Sequence, residues 1–392
     1  MKEILSQVDE VFPYTSSLRR EFHRNPELGF KEFHTAEIIL RELSKLEGFS
    51  IQSGIAETGI VALLNGGSPG KVLLLRFDMD ALPVAEKTGV DYASRNEGLM
   101  HACGHDGHLA IGLTVARLLA ESRQDIKGQI KFVFQPAEEG LGGARRMIEE
   151  GVLKDPVPDI VLGLHLWNEK ELGWLGISDG PVMSASETFE ITVQGKGGHG
   201  GLPHEATDPI TAAAAIINSL QSLVSRETPP LDSAVISVCS IHGGEFHNVI
   251  PESVRLEGTM RSFTRETRQF LLDRFQQIVE GVATAHLCRT EIKIRDISPA
   301  VINHPQASEV MRRTARSLFP QGELDTRYQT MASEDMAFLL ENIPGCYSFV
   351  GSANPELGLV AKHHQPDFNF DERALKTGAA LLIGGVREFL KD

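Results

Sequence analysis

Three short apolar runs in the first 170 residues each end beside a side chain that can hold a metal ion, and this recurrence narrows the fold more than any other feature. Residues 72–77 run into Asp78-Met79-Asp80. Residues 129–134 run into Gln135-Pro136-Ala137-Glu138-Glu139. Residues 159–164 deliver His165. Runs of this length, rich in branched and aromatic residues and bounded by turn residues, read as buried strands. A period of two puts Asp78 and Asp80 on one face, and the ends of buried strands are where α/β sheets carry chemistry. Adjacent glutamates cannot point the same way, so one of Glu138 and Glu139 can bind a cation while the other stays free as a base. Each residue alone has an ordinary explanation: solvated acids in a turn, a charged helix N-terminus, a structural histidine. Three consecutive strands ending this way favour one shared site.

Between the first two runs lies the densest stretch of ligand-type residues in the chain, Leu99-Met-His-Ala-Cys-Gly-His-Asp-Gly-His108, followed by an apolar run over residues 109–120. Cys103 and His105, a thiol and an imidazole two residues apart on a loop opening a helix, suit a transition metal. A buried free cysteine beside helix-capping groups is the alternative. His101, His108 and His204 stay unassigned, and His23, in the turn-like break before Asn25-Pro26, reads as structural.

The 392 residues suffice for two domains and a large core. A net charge of −15, from 38 basic and 53 acidic residues, argues against nucleic-acid partners and anionic membranes, which require a basic face. No apolar run is long enough to span a membrane, and residues 1–6 lack the apolar core of a signal peptide. The four cysteines are scattered without framework spacing, so the expectation is a reduced, cytoplasmic protein.

In chain order, residues 1–50 carry helical periodicity, and 60–64 and 72–77 read as two strands joined by the turn at Asn65-Gly66-Gly67. From residue 183 the pattern changes to β-α-β-β-α-β: strands near 187–194, 233–241, 253–263 and 291–301, helices over 208–226 and 264–286. This is the order of a ferredoxin-like sandwich. The predicted fold class is therefore α/β: a large catalytic domain with a mixed sheet flanked by helices (residues 1–182 and 296–392), plus an inserted ferredoxin-like βαββαβ lid or dimerisation domain (residues 183–295). The small-residue run Thr211-Ala-Ala-Ala-Ala215 suits close packing against a second subunit and equally suits a core. Residues 303–392 return to the first style, with a strand at 346–350, a loop carrying His363-His364-Gln365-Pro366, and Asp371 capping the last helix.

Eight motifs, in order, resemble the dinuclear metallo-amidohydrolases of the aminoacylase/carboxypeptidase family, and within it the hippurate hydrolase and indole-acetyl-amino-acid hydrolase branch. They are Arg76-Phe-Asp-Met-Asp-Ala-Leu-Pro83, His101-Ala-Cys-Gly-His-Asp-Gly-His108, Gln135-Pro-Ala-Glu-Glu139, Gly163-Leu-His165, Gly195-Lys-Gly-Gly-His199, Gly258-Thr-Met-Arg261, Ser333-Glu-Asp335 and His364-Gln-Pro366. The resemblance covers nearly the whole chain. Other branches carry His-x-Asp where this chain has Asp78-Met79-Asp80 and lack the Cys-x-His pair, which sets this chain apart from their dipeptidases and deacylases.

The resemblance implies that Cys103, His105, Glu139, His165 and His364 hold two divalent metals per subunit, with His363 the fallback for His364. One thiolate, three imidazoles and a carboxylate suit Mn²⁺ or Zn²⁺, admit Co²⁺ or Ni²⁺, and disfavour Mg²⁺ and Ca²⁺. It further implies a metal-activated water with Glu138 as general base, His199 as oxyanion donor, often reaching the site from a partner subunit, and Asn248 and Arg261 on the substrate's carboxylate. Asp80 and Glu334 would orient ligands. The implied activity is cleavage of N-acyl or N-aroyl amino acids in a homodimer, with a dipeptidase or metallocarboxypeptidase as the alternative inside the class. Two rivals lie outside it: a metal- or small-molecule-binding protein without activity, and an enzyme with Cys103 as nucleophile.

Overall fold

The structure, a computed structural model, describes residues 2–391 and divides into two compact units. The larger comprises residues 1–182, 301–329 and 334–392; the smaller comprises 183–300 and 330–333.

An eight-stranded mixed sheet organises the larger unit. Its order is Phe49–Ile55, Gly59–Asn65, Lys127–Gln135, Ser68–Asp78, Ile160–Glu171, Gly345–Ala353, Trp174–Gly176, Glu323–Asp325. The central pairs are parallel, and the Gly59–Asn65 strand joins them antiparallel. Parallel strands are covered on both faces and therefore read as continuous apolar runs; residues 345–353 are buried throughout.

Three details depart from the sequence expectation. Residues 49–55, at and just past the end of the helical periodicity expected over 1–50, form an edge strand, mostly exposed, whose polar composition gives no strand signal. The strands either side of Asn65-Gly66-Gly67 do not pair, because Lys127–Gln135 lies between them. His165 sits within its strand, not at its end: Phe349 pairs with it, and the ladder continues to Trp167 and Glu171.

The helix His105–Glu121 is buried on nearly every side and packs against the helices Lys2–Arg24 and Arg373–Phe389. Gly104 precedes it at φ 87°, a left-handed conformation open to glycine at little cost. At Gly107 a Cβ would lie 2.5 Å from Leu166 Cδ1, so only glycine allows this approach of helix and sheet. The first helical turn is thus pressed to the strand carrying His165.

The smaller unit is a four-stranded antiparallel sheet in the order Ala234–His242, Ser253–Ser262, Ala185–Gln194, Arg289–Ser298. The helices Pro209–Ser222 and Arg265–Ala285 cover one face, giving the βαββαβ order. Asp208 caps the first helix through the Ile210 N–H at 2.8 Å, and Thr264 caps the second through the Thr267 N–H at 3.1 Å. Along 185–194 the alternation is visible: Phe189, Ile191 and Val193 are buried against the helices. Among the described residues no helix is long and apolar enough to cross a membrane.

Candidate metal centre

Donor atoms from distant parts of the chain converge in the larger unit. Cys103, His105 and His165 each place a ligand-type atom within 4.8 Å of the others, and so do Cys103, Glu139 and His364; Cys103 belongs to both triads. His105, Glu138 and Glu139 form a third group on the same criterion.

The supporting hydrogen bonds fix which nitrogen of each imidazole is free. His105 Nδ1 lies 2.9 Å from the Asp80 carbonyl and donates to it, leaving Nε2 buried without a hydrogen-bond partner among the described residues. His165 Nδ1 donates to the Leu166 carbonyl at 2.8 Å, which turns Nε2 toward Cys103 Sγ at 3.5 Å. A backbone carbonyl on one ring nitrogen is the usual device for aiming the other at a metal. Glu139 Oε1 also lacks a hydrogen bond, although His364 Nε2 is 3.3 Å away. Buried polar atoms are rarely left unpaired, and unpaired nitrogen and oxygen lone pairs beside a thiol are what divalent transition metals bind. The donor set fits such an ion.

The two histidines of the 363–364 pair are used differently. His363 Nε2 donates to the Leu166 carbonyl at 2.9 Å, and its ring packs against Trp167 and Phe368. His364 reaches Glu139 from a backbone at φ 67°, strained for a non-glycine residue, and its N–H bonds the Ala102 carbonyl at 2.8 Å.

Electrostatics in the centre are strongly perturbed. Burial, then the charges of Glu334, Glu139 and Asp335, push the Glu138 carboxyl well above the ordinary range. Burial and Glu139 raise the Cys103 thiol. Burial, with His108 and His363, holds His165 well below its usual value, so its imidazole is neutral. For His105 burial acts downward, but Asp78 and Cys103 outweigh it. The Cys103 sulfur and the Glu139 carboxylate beside it raise His364 to about 10. Negative charge is in excess here, the condition in which a cation is welcome.

Asp80 touches two ligand-bearing segments: its Oδ2 accepts the Glu139 N–H at 3.0 Å and its Oδ1 is 3.4 Å from His105 Nδ1. Asp78 bonds His108 Nδ1 at 2.6 Å, while His108 Nε2 accepts the Leu166 N–H at 2.9 Å. With both nitrogens engaged, His108 is a strut of the scaffold. Burial pushes His101 down to about 4, and neither of its nitrogens has a partner among the described residues. His23 is buried between Asp106 (2.7 Å) and Glu86 (3.2 Å), with Arg19 on the same Asp106.

Residue-by-residue reading passed over Arg76. Its guanidinium, almost wholly buried, contacts Asp78 at 2.6 Å, Gln135 at 2.7 Å, Glu334 at 2.8 Å and Asp335 at 2.9 Å. The signal was present: a lone cation inside the apolar run 72–77.

His199, Asn248 and Arg261 belong to the smaller unit. His199 is exposed on a two-residue ribbon, paired with Val249, and the Gly200 N–H donates to the Asn248 carbonyl at 2.8 Å, so His199 and Asn248 are neighbours. Arg261 lies on the strand Ser253–Ser262 and donates from Nη1 to Ser333 Oγ at 2.7 Å. His204 is exposed beside Glu205.

Residues 74–388 match the model of the peptidase family M20/M25/M40. The thermostable carboxypeptidase 2 of Saccharolobus solfataricus is 36% identical over 383 residues, covering 97% of this chain and 96% of its own length. The N-acetyl-L-cysteine deacetylase of Bacillus subtilis is 39% identical over 373 residues, covering 95% and 87%. Among solved structures, the Bacillus subtilis YXEP protein, a dinuclear metal binding peptidase from the M20 family, superposes with a TM-score of 0.85 at 32% identity, covering 98% of this chain and 99% of that one.

Proposed function

We propose a substrate class and a division of labour for this chain, which belongs to the peptidase family M20/M25/M40 and is a hydrolase of amide bonds. The substrate is an N-acyl or N-aroyl amino acid, split by water into a carboxylic acid and a free amino acid. Cys103, His105, Glu139, His165 and His364 would hold two divalent ions, Mn²⁺ or Zn²⁺ before Co²⁺ or Ni²⁺. Such ions supply Lewis acidity for the amide carbonyl and make water easier to ionise.

Glu138 takes the proton of the attacking water and passes it to the leaving amine. Burial and the neighbouring carboxylates raise its proton affinity, which suits a group that must take up a proton and pass it on. On the smaller unit, His199 donates to the oxyanion, and Asn248 and Arg261 hold the substrate's carboxylate, the guanidinium in bidentate fashion. Asp80 positions His105 and Glu139. The observation that carries this reading is the grouping of Glu138 with His105 and Glu139 while Cys103, His165 and His364 gather beside it.

A metal-supplemented panel of acetyl-, benzoyl- and indole-acetyl amino acids tests it; turnover that EDTA abolishes is expected, and no turnover of any of them refutes the substrate class. A carboxypeptidase reading is favoured by the Saccharolobus relative, and the same panel extended to acylated dipeptides separates the two. The active species is a homodimer, checked by light scattering on the eluting protein. The four cysteines are all free thiols, which suits a reducing, cytoplasmic setting.

A further inference from the structure

One buried carboxylate ties down both ends of the turn that carries the base and a ligand. Residues 136–143 connect the strand Lys127–Gln135 to the helix Gly143–Glu149 and hold Glu138 and Glu139. Ala137 takes φ 56°, and Leu141 at the tip is exposed. Such a turn needs external bonds to hold a carboxylate still. Glu32 and Asp80 accept the Ala137 and Glu139 N–H groups inside it, and Asp335, only 3% exposed, bonds both of its flanks. Its Oδ1 accepts from Gln135 Nε2 at 2.7 Å, just before the turn, and from Arg76 Nη2 at 2.9 Å. Its Oδ2 accepts the Ala144 N–H at 2.9 Å, just after the turn. Its own N–H points at Glu138 Oε1, 3.4 Å away.

We propose that Asp335 is the positioning residue for Glu138, closing the 136–143 turn from both sides and directing its backbone N–H at the base. The assignment rests on Glu138 being the general base, as proposed above. A carboxylate has an acceptor oxygen for each side of the turn, whereas an asparagine has one. Asp335→Asn must therefore lose either the Gln135/Arg76 side or the Ala144 side, and the base follows. Displacements near 1 Å at a reacting group cost on the order of 100-fold in rate. Glu334, next in the chain, is held separately by Arg76, Tyr347 and the Met336 N–H, so Arg76 remains anchored in the variant.

The test compares wild type, Asp335→Asn, Glu138→Gln and Gln135→Met. It measures kcat and KM on N-acyl amino acids, metal content, and amide hydrogen exchange. For Asp335→Asn the expectation is a kcat lowered on the order of 100-fold, KM and metal content close to wild type, and faster exchange confined to peptides covering 136–143. Gln135→Met, which removes one arm and keeps the volume, should show the same pattern more weakly and carries the test if Asp335→Asn does not fold. A kcat within about twofold of wild type, or a loss of rate matched by a loss of metal, overturns the assignment. If wild type turns over no acyl amino acid, the functional reading fails instead. The exchange data then decide alone: protection of 136–143 equal to wild type in both variants refutes the clamp.

Discussion

The two units hold their candidate residues in opposite ways. In the larger, parallel strands buried on both faces, with the helix His105–Glu121 pressed against them, bury Cys103, His105, His165, Asp78 and Asp80, and one nitrogen of each ligand-type imidazole in this group is held by a fixed partner. In the smaller, an antiparallel sheet covered by helices on one face leaves His199 exposed and bound mainly to its own loop, the Gly201 N–H donating to its Nδ1 at 3.0 Å. Buried imidazoles and carboxylates demand hydrogen bonds, and those bonds set tautomer and direction before any substrate arrives. An exposed histidine on a two-residue ribbon has no such constraint. Preorganisation belongs to the larger unit; adaptability belongs to the smaller.

The largest expected effect breaks the comparison at its rigid side. Glu138→Gln keeps the shape and hydrogen-bonding capacity of the turn but cannot take a proton, so kcat should fall roughly 10³-fold, within the range general-base removal produces, with metal content retained. Steady-state kinetics beside elemental analysis check it; full activity in this variant removes the base from the account.

Next, the supports of the ligands should matter almost as much as the ligands. Asp80→Asn replaces an oxygen that accepts the Glu139 N–H or faces His105, so metal affinity should drop about 10- to 100-fold, the usual cost of losing a partner of a ligand. Competition against a chelating dye reads this directly. Equal affinity would mean that the centre is held by its ligands alone.

The smaller unit should respond differently. His199→Ala should lower kcat roughly 100-fold, as the loss of an oxyanion donor does, yet leave metal content and melting temperature as they are, because the side chain is exposed. Arg261→Lys should raise KM on the order of tenfold, consistent with loss of a charge-assisted bidentate contact, and only for substrates with a free carboxylate. A matched fall in metal content in either variant would erase the distinction between the units.

How much of this was legible in the sequence follows from the same contrast. Strands buried on both faces announce themselves as apolar runs, so residues 72–77 and 129–134 and the ligand-type residues after them could be read directly. The ferredoxin-like order was equally readable, because Phe189, Ile191 and Val193 alternate with polar neighbours. The edge strand 49–55 was not, since its exposed Ser50, Gln52 and Ser53 bury nothing. His165 was read at a strand end because its imidazole interrupts the apolar run; the strand continues through Leu166 and Trp167, both buried and paired with Val350 and Gly351. Residues 330–333 join the smaller unit through a bridge from Met183 to Thr330 and the bond of the Ser184 N–H to the Ala332 carbonyl at 2.9 Å, contacts that leave no pattern in the chain. The fourfold engagement of Arg76 was invisible for a related reason: one cation in a strand says that partners exist, not which ones.

The smallest expected effect concerns stability, and it probes how far the rigid side of the comparison extends beyond the metal ligands. Glu32 is fully buried; it accepts from Thr58 Oγ1 at 2.6 Å and from the Ala137 N–H at 2.9 Å, at the start of the turn that carries Glu138. Burial pushes its carboxyl up to about 7. In the unfolded chain it titrates near 4.5, so between these values the folded state holds a proton that the unfolded state has released. The stability this group contributes is therefore complete below about pH 4.5 and is lost as pH rises through about 7, a change of up to about 3 kcal/mol. Glu32→Gln reproduces the protonated form: its oxygen can accept from Ala137 and its amide can donate to the Thr58 hydroxyl. In chelated protein, where metal linkage is absent, the variant should match wild type near pH 5 and melt several degrees above it at pH 8. Parallel melting curves for the two proteins across that range would show that Glu32 ionises in place, and that the rigidity of the larger unit stops at the ligands and their immediate supports.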